Sequence, residues 1–275
     1  MALLGEPSFD LQERTSMDLF DNTAGNMGKM QYHLRVKPGD VADYVLLPGD
    51  PGRTRLIAEH LDDPTEVAHH REYRTVTGQY HGIGVSGTST GIGCPSAAIA
   101  VEELANVGVS HFIRVGSSAA FVPGIRKGDI LINVASMRED GTTAALVDDG
   151  FPAVADHFLT AALIEAAQEL SAERGFGFYV GINASADAFY AETGDRVKNR
   201  IRQRILNIEM ESAAIFTIAH LRGLKAASVC AVSYNYTAPE EINYGGVNQA
   251  LFQGWHNAID VALEGIRKYE AKRIT

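Results

Sequence analysis

Three short segments of this 275-residue sequence place charged side chains where charge is expensive. The first is Phe112-Ile113-Arg114-Val115, an apolar strand-like run closed by Gly116-Ser117-Ser118. An unpaired guanidinium inside such a strand is costly, so Arg114 must face a carboxylate or an anionic ligand. A structural salt bridge is one reading. The Gly-Ser-Ser that follows supplies N–H and hydroxyl donors on one side and favours the other, a bound anion. The second segment, Pro48-Gly49-Asp50-Pro51-Gly52-Arg53, follows the apolar run Tyr44 to Leu47. A strand-to-loop turn of this kind sets backbone N–H groups and an arginine at the sheet edge where α/β folds bind ligands. An ordinary turn carrying a surface arginine is its plain alternative. The third, Glu209-Met210-Glu211-Ser212, brings two carboxylates to a point where the chain meets the core. One carboxylate can accept both hydroxyl protons of a vicinal diol, as on a ribose, while Met210 offers an apolar face to the sugar. A solvated charged helix start is the alternative there.

The elements that must position these groups are legible as short apolar runs bounded by turn residues: Tyr44 to Leu47, Phe112 to Val115, Ile130 to Val134, Phe178 to Ile182 and Ala226 to Val232. Runs of that length suit strands buried on both faces. Between them lie helical patterns. Pro95 can occupy the first turn of a helix through Val107, which Gly108 can end; Ala162 to Leu170, Met210 to Leu221 and Gln249 to Lys268 also read as helices. Alternating strands and helices imply a three-layer α/β/α fold. The stretch Tyr73 to Thr88 departs from that alternation and reads as an antiparallel hairpin, so the sheet is expected to be mixed. Within it Gly82-Ile83-Gly84-Val85-Ser86-Gly87 matches a dinucleotide fingerprint, yet a strand-like continuation follows where a helix would be needed, and the glycines are read as hairpin glycines.

Composition narrows the function classes. The net charge of −10, with 24 Lys and Arg against 34 Asp and Glu, argues against a nucleic-acid partner, whose recognition rests on basic patches. No apolar stretch approaches the roughly 18 residues of a bilayer span, so no membrane role is expected. Cys94 and Cys230 make no disulfide framework and match no zinc spacing, which together with a charged, non-secretory N-terminus suggests a cytoplasmic protein. Residues 1–30 are polar and aperiodic and read as a mobile N-terminal extension, with a single domain over 31–275.

Taken together, these segments resemble the hexameric nucleoside phosphorylase family, most closely its uridine phosphorylase branch. The resemblance covers about residues 31–275 and also rests on Gln31-Tyr32-His33-Leu34, His70-Arg71-Glu72-Tyr73, Ser89-Thr90-Gly91-Ile92-Gly93, Ala100-Val101-Glu102-Glu103-Leu104 and Phe151-Pro152-Ala153-Val154-Ala155-Asp156, all in one order. It implies a partly barrel-like central sheet. It implies phosphorolysis of a nucleoside by inorganic phosphate to a free base and α-ribose 1-phosphate, without any cofactor, although some relatives bind a monovalent cation (K+ or Na+) at positions matching Glu72, Ile92 and Ser96. Phosphate would be held by Gly49, Arg53, Arg114 and Ser117, with Arg71 from the neighbouring subunit. Ribose would be held by Met210 and Glu211, with His33 of the partner subunit reaching the 5′-hydroxyl. Arg114, Ser117 and Glu211 would be the catalytic set, in a homohexamer built as a trimer of dimers with shared sites.

The base pocket is where the pattern departs. Uridine phosphorylases carry a Gln and an Arg a few residues after a Phe-Tyr pair; here Phe189-Tyr190 is followed by Ala191-Glu192-Thr193-Gly194-Asp195-Arg196, with no Gln and with Arg196 as the candidate for the Arg. Purine-specific relatives place an Asp after the Ser of the late strand, and here Ser233 precedes Tyr234-Asn235. Base contacts are expected from Ser118, Ala119, Phe189, Arg196 and Tyr234. Uridine is the first expected substrate and a purine nucleoside the second. A hydrolytic nucleosidase would have no use for the arginine set, and a non-catalytic nucleoside-binding protein would bind without turnover.

Overall fold

A computed structural model describes residues 28–238 and 248–273. Of the expected N-terminal extension, residues 1–27 lie outside the described residues.

The core of the molecule is a ten-stranded mixed sheet. Its strands are β1 (Tyr44–Leu47), β2 (Asp62–His70), β3 (Tyr73–Tyr80), β4 (Ile83–Thr88), β5 (His111–Ala120), β6 (Ile130–Glu139), β7 (Ala153–Val154), β8 (Phe178–Ala186), β9 (Asn207–Glu209) and β10 (Lys225–Asn235). Five of them, β10, β6, β8, β9 and β5, pair in that sequence, and β5 pairs back onto β10, so this part of the sheet closes on itself. From β5 the sheet opens outward through β1, β4, β3 and β2. β5 is therefore the hinge of the architecture: it runs parallel to β1 and β10 and antiparallel to β9. A strand paired on both sides and covered on both faces has to be apolar, which is why Arg114 stands out there.

Helices cover both faces. Among the described residues they are α1 (Arg53–Ala58), α2 (Cys94–Asn106), α3 (Gly141–Leu146), α4 (His157–Arg174), α5 (Gly194–Arg202), α6 (Ser212–Leu221) and α7 (Gln249–Arg273), with a 3-10 turn at Phe189–Ala191. One core gathers Ile113 and Val115 of β5 with Leu163 of α4 and Ile259 and Leu263 of α7. The other gathers Phe112 with Ala97, Val101 and Leu104 of α2 and Ile215 and Phe216 of α6. Alternation along a strand sends neighbouring residues to opposite faces, so Arg114 turns to the same side as Phe112.

The expected three-layer, mixed, partly barrel-like α/β/α architecture is the one observed. The hairpin over Tyr73 to Thr88 is β3 and β4, paired antiparallel with Tyr80 opposite Ile83. Expected elements are mostly longer in the structure; β5 continues through Gly116-Ser117-Ser118 to Ala120. One boundary is corrected. The helix expected from Met210 starts at Ser212, because Ile205-Leu206-Asn207-Ile208 leads into strand β9, which runs to Glu209 and closes the barrel.

Candidate functional site

The three charged segments converge on one cavity of about 910 Å³. Its walls come from the loop after β1, the C-terminal half of β5, the turn before α2, the β9–α6 junction and the end of β10.

Gly49 lets backbone approach two guanidinium groups. A Cβ placed on it would stand 3.6 Å from Arg114 Nη1 and 3.7 Å from Arg53 Nη2, and 3.1 Å from the carbonyl oxygen of Gly91. Arg53 reaches the Ser117 hydroxyl with Nη1 at 3.4 Å, and its guanidinium lies 5.2 Å from the ring centroid of Trp255. Trp255 Nε1 donates to the same hydroxyl at 2.8 Å. Burial, and after it the charge of Arg114, pushes the Arg53 pKa down to about 10. Its Nε is buried without a hydrogen-bond partner among the described residues. Two guanidinium groups and a hydroxyl around a bare stretch of backbone make a seat for an anion, whose charge would reverse their repulsion.

Arg114 resolves the choice posed by its position in the strand. It ion-pairs Glu211 through Nη2, lies 3.5 Å from Glu209 through Nε, and donates from Nη1 to the Leu47 carbonyl at 3.2 Å. It has its carboxylates and it still lines the cavity. Burial opposes its charge, but Glu211 and Glu209 hold its pKa above the ordinary value.

The two carboxylates of the third segment divide the work. Glu209 is saturated: it accepts from Asn183 Nδ2 at 2.8 Å, Ser185 Oγ at 2.5 Å and the backbone N–H groups of Glu211 and Ser212 at 2.9 and 3.0 Å. It anchors the junction. Glu211 is the N-cap residue of α6, yet its side chain makes no capping bond and turns instead to Arg114 and to the Gly93 N–H at 2.7 Å. Burial holds its carboxyl above the usual carboxylate range despite Arg114, and the like charge of Glu209 adds to this. Met210, between them, lines the cavity beside Glu211.

Beyond these groups the wall becomes apolar and aromatic. Ala119, Phe189, Tyr234 and Tyr236 line it, with Ser118, whose buried hydroxyl has no hydrogen-bond partner among the described residues. Of the expected base contacts, Ser118, Ala119, Phe189 and Tyr234 are on the cavity and Arg196 is not. Arg196 stands exposed on α5 with Nη1 donating to Ala191 O at 3.4 Å. The buried arginine of that helix is Arg200, one turn further on, because its side chain points at Glu139 and Glu192 while that of Arg196 points to solvent.

His33 and Arg71 are also off the cavity of their own chain. His33 is fastened to Glu103 through Nδ1 at 2.7 Å, and Arg71 is exposed in the turn between β2 and β3 with a positive φ of 56°. Glu72, Ile92 and Ser96 all line the cavity rim, where the Ser96 hydroxyl donates to Glu72 Oε1 at 3.0 Å. Among the described residues no group of three or more His, Cys, Asp or Glu could hold a metal ion, and no helix is long and apolar enough to cross a membrane. Sequence reasoning gave no role to Trp255, Glu192 or Arg200. Trp255 is 138 residues from the serine it contacts, and no local pattern links them.

Known proteins resemble this chain in sequence and fold. Residues 43–252 match the model of the phosphorylase superfamily. A uridine phosphorylase of Thermococcus kodakarensis is 48% identical over 81% of this chain and 83% of its own length. A guanosine phosphorylase of Halorubrum lacusprofundi is 41% identical over 76% and 85%. The crystal structure of uridine phosphorylase from Vibrio fischeri superposes with a TM-score of 0.78 at 34% identity, covering 86% of this chain and 97% of that one. A strand-borne arginine, a glycine that admits backbone to two guanidiniums and a carboxylate turned away from its own helix thus sit in a chain that belongs to the phosphorylase superfamily, among its nucleoside phosphorylases.

Proposed function

We propose that this chain cleaves nucleosides by phosphorolysis, with inorganic phosphate seated against Gly49, Arg53, Arg114 and Ser117. A phosphate oxygen forms a bond to C1′ as the C1′–N bond breaks, and the electron pair leaves with the base. The products are the free base and α-ribose 1-phosphate. The transition state carries positive charge at the sugar, which the bound phosphate stabilises at short range; catalysis is positioning and electrostatics rather than covalent chemistry by the protein. Glu211 accepts from the ribose 2′- and 3′-hydroxyls, and Met210 packs on the sugar. The observation that carries this reading is the adjacency, in one cavity, of the Arg53–Arg114 pair at Gly49 and the inward-turned carboxylate of Glu211.

Arg71 and His33 belong to the reading as groups given to a neighbouring subunit, in a homohexamer built as a trimer of dimers. Two exposed apolar residues support such an interface: Ile92, 78% exposed at the cavity rim, and Tyr32, 62% exposed beside His33. The rim residues Glu72, Ile92 and Ser96 would serve a K+ or Na+ ion there, no other cofactor is invoked, and a cytoplasmic location is part of the same proposal.

Uridine is the first substrate, as the names of the Thermococcus and Vibrio relatives suggest for theirs. A purine nucleoside is the second, favoured by the absence of Arg196 from the cavity and by the name of the Halorubrum relative. Uridine, thymidine, inosine, guanosine and adenosine followed by absorbance with and without phosphate test the proposal. Phosphate-dependent cleavage is expected. Cleavage that runs equally well without phosphate would make it a hydrolase, and tight binding without cleavage would make it a binding protein.

A further inference from the structure

Glu192 and Arg200 form a charged pair at the aromatic end of the cavity that the phosphate and ribose chemistry leaves unused. Glu192 follows the 3-10 turn Phe189–Ala191 and lines the cavity, its side chain only 8% exposed; the Arg200 side chain is 1% exposed. Arg200 Nη1 ion-pairs Glu192 Oε2, and Nη2 ion-pairs Glu139 Oε2, so both ends of the guanidinium fork are occupied. Its Cζ lies 5.9 Å from the ring centroid of Phe121, which stacks on Tyr236 at 5.2 Å and 14°. Tyr236 is itself part of the cavity wall. Arg200 thus stands behind the aromatic end, touching its wall through Glu192 without lining the cavity itself.

The second oxygen of Glu192, Oε1, is buried and has no hydrogen-bond partner among the described residues. A buried carboxylate oxygen without a donor is rare in a folded protein, because it forfeits its hydration with nothing in exchange. On a cavity wall such an oxygen is placed to accept from a ligand N–H. With one guanidinium serving two carboxylates, this end also repels any ligand edge that presents a lone pair instead.

We propose that Glu192, oriented by Arg200, is the base-selecting residue, accepting the ring N–H of a lactam base. The substrates are then nucleosides of uracil or thymine, which carry N3–H, and of hypoxanthine or guanine, which carry N1–H. Cytosine and adenine nucleosides present a ring-nitrogen lone pair at that position and are rejected. Arg200 is a positioning residue: it takes one carboxylate oxygen and fixes the plane of the other. This inference rests on the nucleoside reading of the cavity, and it accounts for a base site with no glutamine after Phe189-Tyr190.

The test compares kcat/KM of the full-length protein for uridine with 3-methyluridine, for inosine with 1-methylinosine, and for cytidine and adenosine. Blocking the ring N–H with a methyl group is expected to cost about a hundredfold or more, since a site built around a hydrogen bond discriminates strongly against an analogue that lacks it. Cytidine and adenosine should fall at least as low. In Glu192→Gln the amide oxygen remains on Arg200 and the NH2 turns to the base. Uridine and inosine should lose about tenfold or more and the cytidine-to-uridine ratio should rise, with KM for phosphate unchanged. Methylated substrates within about threefold of their parents would overturn the assignment, as would an unchanged base ratio in a folded Glu192→Gln. If that variant does not fold, judged by circular dichroism and melting, the methylated substrates decide with wild-type protein alone. If no nucleoside is cleaved in phosphate, the phosphorolysis reading fails instead, and calorimetric binding of uracil against 3-methyluracil decides the role of Glu192: a preference for uracil supports it and equal binding refutes it.

Discussion

Gly49→Ala is the smallest change that should disable the anion seat without disturbing the fold. Gly49 is not among the glycines with positive φ, so its backbone accepts an alanine. The added methyl would lie 3.6 and 3.7 Å from the two guanidinium nitrogens, in the space a phosphate oxygen needs, and 3.1 Å from the Gly91 carbonyl, which must give by a few tenths of an ångström. Suppose the methyl displaces a phosphate dianion by about 1 Å, from about 4 to about 5 Å from each arginine. At an effective dielectric of about 20 the attraction falls by about 1.7 kcal/mol per arginine, about 3 kcal/mol in all. That corresponds to about a hundredfold rise in KM for phosphate, with a smaller change in KM for the nucleoside and a melting temperature within a few degrees of wild type. Initial rates at saturating nucleoside over a phosphate titration measure it. A folded Gly49→Ala protein whose phosphate KM stays within about threefold of wild type would refute the placement of phosphate at this loop.

Arg114→Ala removes the guanidinium that separates Glu209 from Glu211; stranding buried charge of this kind costs about 3–5 kcal/mol, so melting should fall by about 10 °C, and turnover should be abolished. A variant that keeps more than about a tenth of the wild-type rate would move the phosphate site elsewhere. Glu211 predicts a pH effect of definite sign. Because burial holds its folded pKa above the unfolded value, the native state binds the extra proton between the two, so its contribution to stability falls as pH rises through that window. Melting temperature against pH should therefore decline less steeply there in Glu211→Gln than in wild type, and parallel curves would contradict the burial argument.

How much of this was legible in the sequence depends on the range over which each feature is encoded. Tyr44 to Leu47 and the Tyr73 to Thr88 hairpin are local patterns, apolar continuity in one case and alternation about glycine in the other, and both appear with nearly the expected bounds. Arg114 is legible because a charge in a doubly covered strand has few physical solutions. β9 is not legible as a strand because three residues carry no period of their own; they become a strand only when β5 and β8 offer edges on either side. Arg196 and Arg200 are both arginines on one helix, and only the tertiary position of Glu139 and Glu192 decides which is drawn inward. The polar shell of Glu209, from Asn183 and Ser185, is likewise assembled from a strand far away in sequence.

Trp255 is the only tryptophan in the chain, and its indole N–H is committed to the Ser117 hydroxyl while its ring lies against Arg53. All intrinsic indole emission of this protein therefore originates beside the anion seat. An anion that claims Ser117 and Arg53 changes both the hydrogen bond and the charge felt by that ring. The native chain carries its own optical label for occupancy of one half-site, readable before any bond is broken and with no engineered probe.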